Sequence, residues 1–176
     1  MELVNGRPAD CAGRLEKEIR CYDLLDSLGI DYQRIDHEAA MTMEACEEID
    51  RVLDAVICKN LLLCNRQQTA FYLLVISPDS HFRTAELSHE LGVSRLSFAP
   101  EDALPRLLGL EKGAVSPLGL WFDQERQVRL LFERAIRKPG KIAFHPCDNT
   151  ATVVFEQEAF WQQVVPTLKH AVTMVL

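Results

Sequence analysis

Lys59 and Asn60 are polar residues within an apolar segment, residues 56–64, that is typical of a buried β-strand. Alternate side chains of a strand share a face, so Lys59 is predicted to lie on the face of Leu61 and Asn60 on the face of Leu62. An ammonium and an amide in such a segment need polar partners, because burying either group unpaired is costly. Two interpretations remain open: a binding site, or an edge strand whose lysine stem covers the core while its ammonium reaches water.

Two more polar segments, residues 113–117 and 145–150, lie where strands are predicted to begin or end. Together with the lysine and the asparagine they supply a histidine and several glycine or serine backbone positions. Such groups can bind an anion or a carbonyl oxygen and can orient water. The set contains no evident strong nucleophile, and the sequence lacks the GxGxxG, P-loop, HExxH and GxSxG motifs.

Each of these polar residues also has a purely structural interpretation. Ser116 could cap a turn before Pro117, and Asn149 with Thr150 could form an Asx turn that opens a strand. His145 could be a structural histidine whose hydrogen bonds are satisfied within the fold. The residues alone leave these alternatives open.

The composition indicates an ordinary soluble globular protein. The 176 residues are 48% hydrophobic and 26% charged, and no apolar stretch reaches the roughly 18 to 20 residues of a membrane span. Residues 1–10 lack the apolar core of a signal peptide, so we expect a cytoplasmic protein without membrane association. The net charge of −7 argues against bulk, non-specific binding to nucleic acid. A local basic cluster at residues 134–141, which includes Arg137 and Lys138, could still bind RNA or could be a solvated surface.

The six cysteines form neither a CxxC pair nor a zinc-binding spacing. We expect them to be reduced and to pack as small hydrophobic residues, as cysteines of cytosolic proteins usually do. The sequence therefore predicts no metal site and no cofactor.

Hydrophobic periodicity predicts helices and strands in an irregular order. The predicted helices are residues 15–28, 42–53, 84–91, 100–109 and 156–170, and the predicted strands are residues 32–37, 56–64, 69–77, 95–99, 118–122, 128–132, 141–144 and 151–155. Because strands and helices do not alternate regularly, the sequence predicts a single α+β (mixed α/β) domain. We expect residues 1–12 to be a flexible N-terminus and residues 13–176 to form the domain.

Four segments carry a resemblance to a known family: Lys59-Asn60, residues 96–99 before a proline-led helix, residues 113–118, and residues 144–152. In this order and spacing they resemble the YbaK/prolyl-tRNA-synthetase-associated editing domain family, and within it the free-standing deacylases that hydrolyse Ala-tRNA(Pro). The resemblance covers residues 15–161. It implies a central mixed sheet or barrel-like core wrapped by helices, and hydrolysis of a mischarged aminoacyl-tRNA.

The resemblance also implies roles for single residues. Lys59 corresponds to the family's essential lysine at the mouth of the site, where it contacts the terminal phosphate or the ester, and Asn60 follows it in the pocket. Arg137 and Lys138 are candidate contacts of the acceptor stem. The aminoacyl group is implied to lie between a loop and an opposite wall. The loop comprises Gly113, Ser116 and Pro117, and the opposite wall comprises His145, Asn149 and Thr150.

The same resemblance implies a partner and a mechanism. The partner is the aminoacylated end of a tRNA, with prolyl-tRNA synthetase as a second candidate, and the protein is expected to be a monomer or a weak dimer. An aminoacyl ester is already activated, so water assisted by the adjacent ribose hydroxyl can attack it while backbone amides around Gly113 stabilise the oxyanion. Two alternatives stay open: a non-catalytic module that binds tRNA or a synthetase, and a deacylase of another substrate such as Cys-tRNA(Pro).

Overall fold

The computed structural model describes residues 2–39, 48–49 and 51–176. Of the predicted helix 42–53, residues 42–47 and 50 lie outside this description, and residues 48–49 and 51–53 are helical. No helix within the described residues is long and apolar enough to cross a lipid bilayer.

Ten strands and several short helices make up the described chain. The strands are β1 Leu3–Asn5, β2 Tyr32–Asp36, β3 Ala55–Ile57, β4 Lys59–Asn65, β5 Phe71–Ile76, β6 Leu96–Phe98, β7 Val128–Glu133, β8 Lys141–Phe144, β9 Ala151–Glu156 and β10 Val172–Val175. The helices are α1 Glu16–Ser27, α2 Thr84–Leu91, α3 Ala103–Leu108, α4 Gln157–Ala159 and α5 Val165–Leu168, with a π turn at Phe160–Val164 between the last two and 3₁₀ helices at Pro117–Phe122 and Arg134–Ile136.

The strands form two five-stranded sheets that share one core. The first sheet has the order β1-β2-β9-β8-β3, and the second has the order β10-β7-β5-β4-β6. Both are mixed, since β3 pairs parallel with β8 and β7 pairs parallel with both β5 and β10, whereas the other pairs are antiparallel. The predicted α+β domain with a mixed-sheet core is therefore confirmed.

The main core lies between the two sheets and is closed by α1 and the C-terminal helices. Phe160 is at its centre, fully buried, with its ring 5.6 Å from that of Phe132, 5.1 Å from that of Phe144 and 6.1 Å from that of Phe155. Aromatic rings at such separations pack in favourable tilted or offset arrangements. The cluster joins both sheets to the closing helix.

Each sheet also buries part of its outer face, which explains why the strands are apolar on both sides. Leu63, Leu74 and Leu131 of the second sheet pack with Leu87 of α2. On the first sheet, Ile35, Ala143 and Val154 pack with Ile49 and Leu53. These two outer clusters and the main core leave little exposed surface on the central strands.

The segment predicted as one strand, residues 56–64, is divided at Cys58 into β3 and β4. The division arises because the chain leaves the first sheet, where β3 pairs with β8, and enters the second, where β4 pairs with β5. Periodicity within the segment does not reveal this change of partner. The strand prediction is correct in type but wrong in continuity.

Residues 118–122, predicted as a hairpin strand, form a 3₁₀ helix that begins at Pro117. The Ser116 hydroxyl accepts a hydrogen bond from the Leu118 amide at 3.2 Å, and proline suits the first helical position. Instead of a hairpin partner, β7 takes β5 and β10 as parallel neighbours.

Two short strands at the ends of the chain were absent from the prediction. Leu3–Asn5, within the expected flexible N-terminus, forms β1 and pairs antiparallel with β2, while Arg7 lies 2.6 Å from the Asp23 carboxylate. At the other end the closing helix stops at Leu168, and β10 follows as an edge strand beside β7. Both strands are too short for periodicity to detect, and distant partners fix them.

The central position of Phe160 makes it a test of the core. Replacing it in the Phe160→Ala variant should lower the free energy of unfolding by about 3–5 kcal/mol, because a cavity replaces a ring that joins both sheets. Urea unfolding at equilibrium measures the change. The control is Leu15→Ala, because the Leu15 side chain is exposed and its loss should matter little. A loss below about 1 kcal/mol at Phe160 would contradict this description of the core.

Candidate functional site

A cleft opens along the edge of β4. Strand β6 pairs with β4 only at residues 63–65, after which the Ala99 amide donates to the Leu62 carbonyl at 2.9 Å and the chain turns away. Within the described part of the chain, no strand covers this edge of residues 59–61. A cavity of about 510 Å³ occupies the space, and its walls include Asn60, Leu62, Leu104, Gly113, Val115 and His145.

Asn60 lies on the inner face of β4, as the alternation predicts. It pairs in register with Val75, which is part of the main core, and Leu62 on the same face packs against that core. The Asn60 Nδ2 donates weakly to the Cys58 carbonyl at 3.4 Å, while its Oδ1 is buried with no hydrogen-bond partner among the described residues. An unsatisfied buried acceptor is costly, so this oxygen is a candidate to accept a bond from a bound molecule.

Lys59 lies on the opposite, outer face of β4. It pairs in register with Ile76, which belongs to the outer cluster of the second sheet, and Leu61 packs against the same cluster. The side chain is exposed, and its ammonium donates to the carbonyl oxygen of Pro78. The structure therefore does not bring Lys59 into the cleft with the other predicted site residues.

Gly113 forms part of the opposite wall through a tight turn. The Ala114 amide donates to the Glu111 carbonyl at 3.0 Å, and Gly113 has a φ of +88°. A Cβ at this position would lie 3.2 Å from the Asn149 Nδ2, so both the backbone conformation and the neighbour favour glycine. Among the described residues, none accepts a hydrogen bond from the amides of Gly113 and Val115, so both are free to bind a ligand oxygen.

His145 follows β8 and reaches the cleft with a defined proton arrangement. Its Nδ1 lies 2.7 Å from the Ala151 carbonyl oxygen, which can only accept, so Nδ1 carries the hydrogen and Nε2 is left as an acceptor in the neutral ring. Burial lowers the pKa of His145, and the nearby His37 also lowers it, whereas the Ala151 bond and Asp148 act in the opposite direction. The ring is therefore neutral at neutral pH and can accept a proton or orient a water molecule.

Three of the remaining predicted residues have structural positions. Ser116 and Pro117 are buried, and the Ser116 hydroxyl caps the 3₁₀ helix, so its side chain is not part of the cleft wall. An Asx turn is present, but Asp148 makes it, accepting from the Thr150 amide at 2.7 Å. Thr150 is exposed beside this turn, whereas the Asn149 side chain lies against Gly113.

The basic residues Arg137 and Lys138 lie away from the cleft. The Arg137 guanidinium is 4.9 Å from the centre of the Trp161 ring, and the Lys138 amide donates to the Gln157 side chain at 3.4 Å. Strand β8 separates these residues from His145, and four strand residues span roughly 13 Å. Sequence proximity to His145 is thus misleading, because the intervening strand places the two groups at opposite ends of β8.

Two residues at the mouth of the cleft were not predicted as site residues. Phe98 ends β6 and is 62% exposed, and Lys112 precedes Gly113 and pairs with Glu101 at 2.6 Å. Phe98 lies within the segment 96–99 that carries the family resemblance, and Lys112 stands next to the segment 113–118, beside a positive-φ glycine. The available signal for Phe98 was a large apolar residue two positions before Pro100.

Taken together, the cleft combines a small apolar floor with a few polar groups. Leu62, Leu104 and Val115 form part of its apolar lining, while Asn60, the Gly113 turn and His145 supply an acceptor, amide donors and a neutral imidazole. Such a site can hold a carbonyl compound with a small apolar substituent and can position water beside it.

Comparison with known proteins finds a matching family model and several similar proteins. A model of the aminoacyl-tRNA editing domain family matches residues 37–161. The chain is 39% identical over 134 residues to the prolyl-tRNA editing protein ProX of Acetoanaerobium sticklandii, covering 76% of this chain and 82% of that protein. It is 33% identical over 141 residues to the prolyl-tRNA synthetase associated domain-containing protein 1 of Danio rerio, covering 79% and 75% of the two chains.

Solved structures share the fold at low sequence identity. The crystal structure of a proposed trans-editing enzyme for prolyl tRNA synthetase superimposes with a TM-score of 0.65 at 14% identity, covering 91% of this chain and 96% of that one. A second crystal structure, of the hypothetical protein APE2540, gives a TM-score of 0.63 at 15% identity over 88% and 96% of the chains. At this identity the likeness concerns the fold alone.

The proton arrangement of His145 can be measured directly. Nitrogen-15 NMR of the imidazole at pH 7 should show a protonated Nδ1 and a bare Nε2, because Nδ1 donates to Ala151 and burial disfavours the charged ring. On acidification the ring should charge only below the ordinary histidine pKa of about 6.5. Spectra of a His145→Asn variant assign the signals. A ring with both nitrogens protonated at pH 7 would contradict this arrangement.

Proposed function

The chain belongs to the aminoacyl-tRNA editing domain family and is an aminoacyl-tRNA deacylase; we propose that it removes alanine from mischarged Ala-tRNA(Pro). The observation that carries the proposal is the cleft at the open edge of β4, where a small apolar floor meets Asn60, Gly113 and His145. The name of the Acetoanaerobium relative, a prolyl-tRNA editing protein, supports tRNA(Pro) as the carrier.

The chemistry needs no protein nucleophile. The ester between an amino acid and a ribose is activated, and the adjacent ribose hydroxyl assists the attack of water. As the tetrahedral intermediate forms, its oxyanion accepts hydrogen bonds from the free amides of Gly113 and Val115. His145 presents its bare Nε2 and holds the attacking water or the ribose hydroxyl.

Asn60 recognises the α-ammonium group of the amino acid. Its buried Oδ1 lacks a partner and can accept a hydrogen bond from the α-ammonium of the aminoacyl group. A charge-assisted bond of this kind is stronger than one between neutral groups. It would orient the ester carbonyl towards the Gly113 turn.

Size selection would separate mischarged from correctly charged tRNA. In this proposal the floor formed by Leu62, Leu104 and Val115 receives the alanine methyl group, and the bulkier proline ring is the group that the site must exclude. A second sieve of this kind is useful because a single hydrophobic pocket discriminates small side chains by only about 1–3 kcal/mol per methylene. Cysteine is only one heavy atom larger than alanine, so Cys-tRNA(Pro) is the competing substrate.

The RNA lies outside the cleft in this proposal. Lys59, exposed on the outer face of β4, exchanges its contact with the Pro78 carbonyl for a phosphate at the acceptor end. The name of the Danio relative supports an association with prolyl-tRNA synthetase, which would supply the mischarged tRNA in the cytoplasm. Thr150 and the buried Ser116 and Pro117 act by shaping the two loops that flank the substrate.

Deacylation of Ala-, Cys- and Pro-tRNA(Pro), measured side by side, tests the function. The wild type should release alanine fastest and leave Pro-tRNA(Pro) intact. Gly113→Ala should lower the alanine rate by roughly 10²- to 10³-fold, the usual effect of losing an oxyanion donor, because the added Cβ displaces the turn against Asn149.

The matched control is Gly29→Ala. Gly29 has a similar φ of +67° with nothing within 4 Å of a new Cβ, and it lies beyond α1 at the other end of the fold. This variant should lose some stability and keep its rate. Equal losses of activity in both variants would attribute the effect to backbone strain alone. A wild type that binds the tRNA but releases no amino acid would instead be a non-catalytic module.

Charge reversal at Arg137 and Lys138 tests whether the basic cluster contacts the acceptor stem. Because β8 separates the cluster from the cleft, the Arg137→Glu, Lys138→Glu variant should hydrolyse alanyl-adenosine at the wild-type rate. Its affinity for the full tRNA should fall, with a shallower dependence on salt concentration, since fewer counterions are released. Unchanged affinity and salt dependence would exclude the cluster from the RNA contact.

A further inference from the structure

We propose that Phe98 is the stacking platform for the terminal nucleobase of the aminoacylated RNA, and so a substrate-binding residue. This inference rests on the proposed deacylase function and adds to it the part of the substrate that must lie just outside the cleft. The contact would make recognition depend on the base itself as well as on the ester and the phosphates.

Within the part of the chain that the structure describes, Phe98 is the most exposed of the large hydrophobic residues, at 62%. It ends β6 and borders the cleft, yet it belongs to none of the three hydrophobic clusters. Among the described residues its ring has no aromatic or cationic partner. Most of the residue is therefore open to solvent and accessible to a ligand.

The register of the second sheet fixes which side of β4 the ring occupies. Phe98 is opposite Leu63, and both Leu63 and Leu96 are buried in the outer cluster. Paired residues of adjacent strands share a face, so Phe98 lies on the outer face. Lys59 occupies the same face of β4, and the four residue steps from 59 to 63 span roughly 13 Å.

The open edge of β4 thus separates two surfaces. On the inner side are Asn60 and the apolar floor that receive the amino acid, and on the outer side are a cation, Lys59, and an exposed aromatic ring, Phe98. The distance between Lys59 and Phe98 along this face is comparable to the length of one to two nucleotides of extended single-stranded RNA. At the rim, Lys112 adds a second exposed ammonium, which is paired with the Glu101 carboxylate at 2.6 Å.

The covalent structure of the aminoacylated RNA determines which of its groups lies next to Phe98. The aminoacyl group is esterified to the terminal ribose, so when it lies in the cleft the attached base is held within a few ångströms of the mouth. This nucleotide is unpaired, and single-stranded bases are commonly recognised by stacking on aromatic side chains. Such a stack contributes enough to change affinity by roughly 5- to 100-fold.

A cycle of protein and substrate changes tests the stack. Phe98→Ala should raise the KM for an alanylated acceptor-stem hairpin by roughly 5- to 100-fold and leave kcat within about twofold, because the stack binds the ground state and the transition state alike. Phe98→Tyr should restore the wild-type KM. Removing the terminal base from the hairpin should have the same effect on the wild type and little further effect on Phe98→Ala.

The matched control is Val4→Ala, which removes an exposed apolar side chain from the edge strand of the other sheet. It should leave KM unchanged. If the abasic hairpin weakens Phe98→Ala as much as it weakens the wild type, the base binds elsewhere and the inference is overturned. The same holds if Phe98→Ala retains the wild-type KM.

A fluorescence measurement tests stacking on Phe98 independently of whether the protein is a deacylase. A hairpin ending in 2-aminopurine, joined to alanine by an amide that cannot be hydrolysed, should be quenched on binding the wild type but not on binding Phe98→Ala. Quenching reports stacking whether or not the protein hydrolyses esters. Hydrolysis by the wild type without any Phe98-dependent quenching would refute the platform and leave the deacylase function standing.

Discussion

The passage of one strand between two sheets at Cys58 is the constraint on which the site depends. Strand β3 is bound to β8 and β4 to β5, so the chain must cross at this point and cannot continue either ladder. Strand β6 covers only residues 63–65 of β4, because the proline-led segment after Ala99 turns away. A sheet edge is thereby left open beside the core, and the loops that follow α3 and β8 enclose it.

This arrangement gives neighbouring residues opposite tasks. Because side chains alternate, Lys59 and Asn60 face different sides of the same edge, one in solvent and one beside the main core. A substrate with a charged, hydrophilic part and a small apolar part matches that division. The polar groups of the inner side are fixed by the fold itself: a positive-φ glycine next to Asn149, and a histidine whose Nδ1 is held by the Ala151 carbonyl.

Local sequence patterns predicted those features of the fold that depend on residues close together in the sequence. The opposite faces of Lys59 and Asn60 follow from strand periodicity, and the family resemblance located Gly113 and His145. The break at Cys58 and the strands β1 and β10 depend on distant partners, which no local pattern contains. Residues 118–122 alternate as a strand does, but Ser116 and Pro117 impose a helical start. The distance of Arg137 from the cleft follows from the direction of β8, which sequence proximity conceals.

The central claim is that the two faces of the open β4 edge divide the substrate between them. A crystal structure with an acceptor-stem hairpin whose terminal ribose carries alanine through a non-hydrolysable amide tests it most directly. The account predicts the alanyl methyl group beside Leu62 and Leu104, its carbonyl oxygen on the Gly113 turn, and the last phosphate on the Lys59 side. An alanyl group bound on the Lys59 side, with the inner cleft unused, would contradict it.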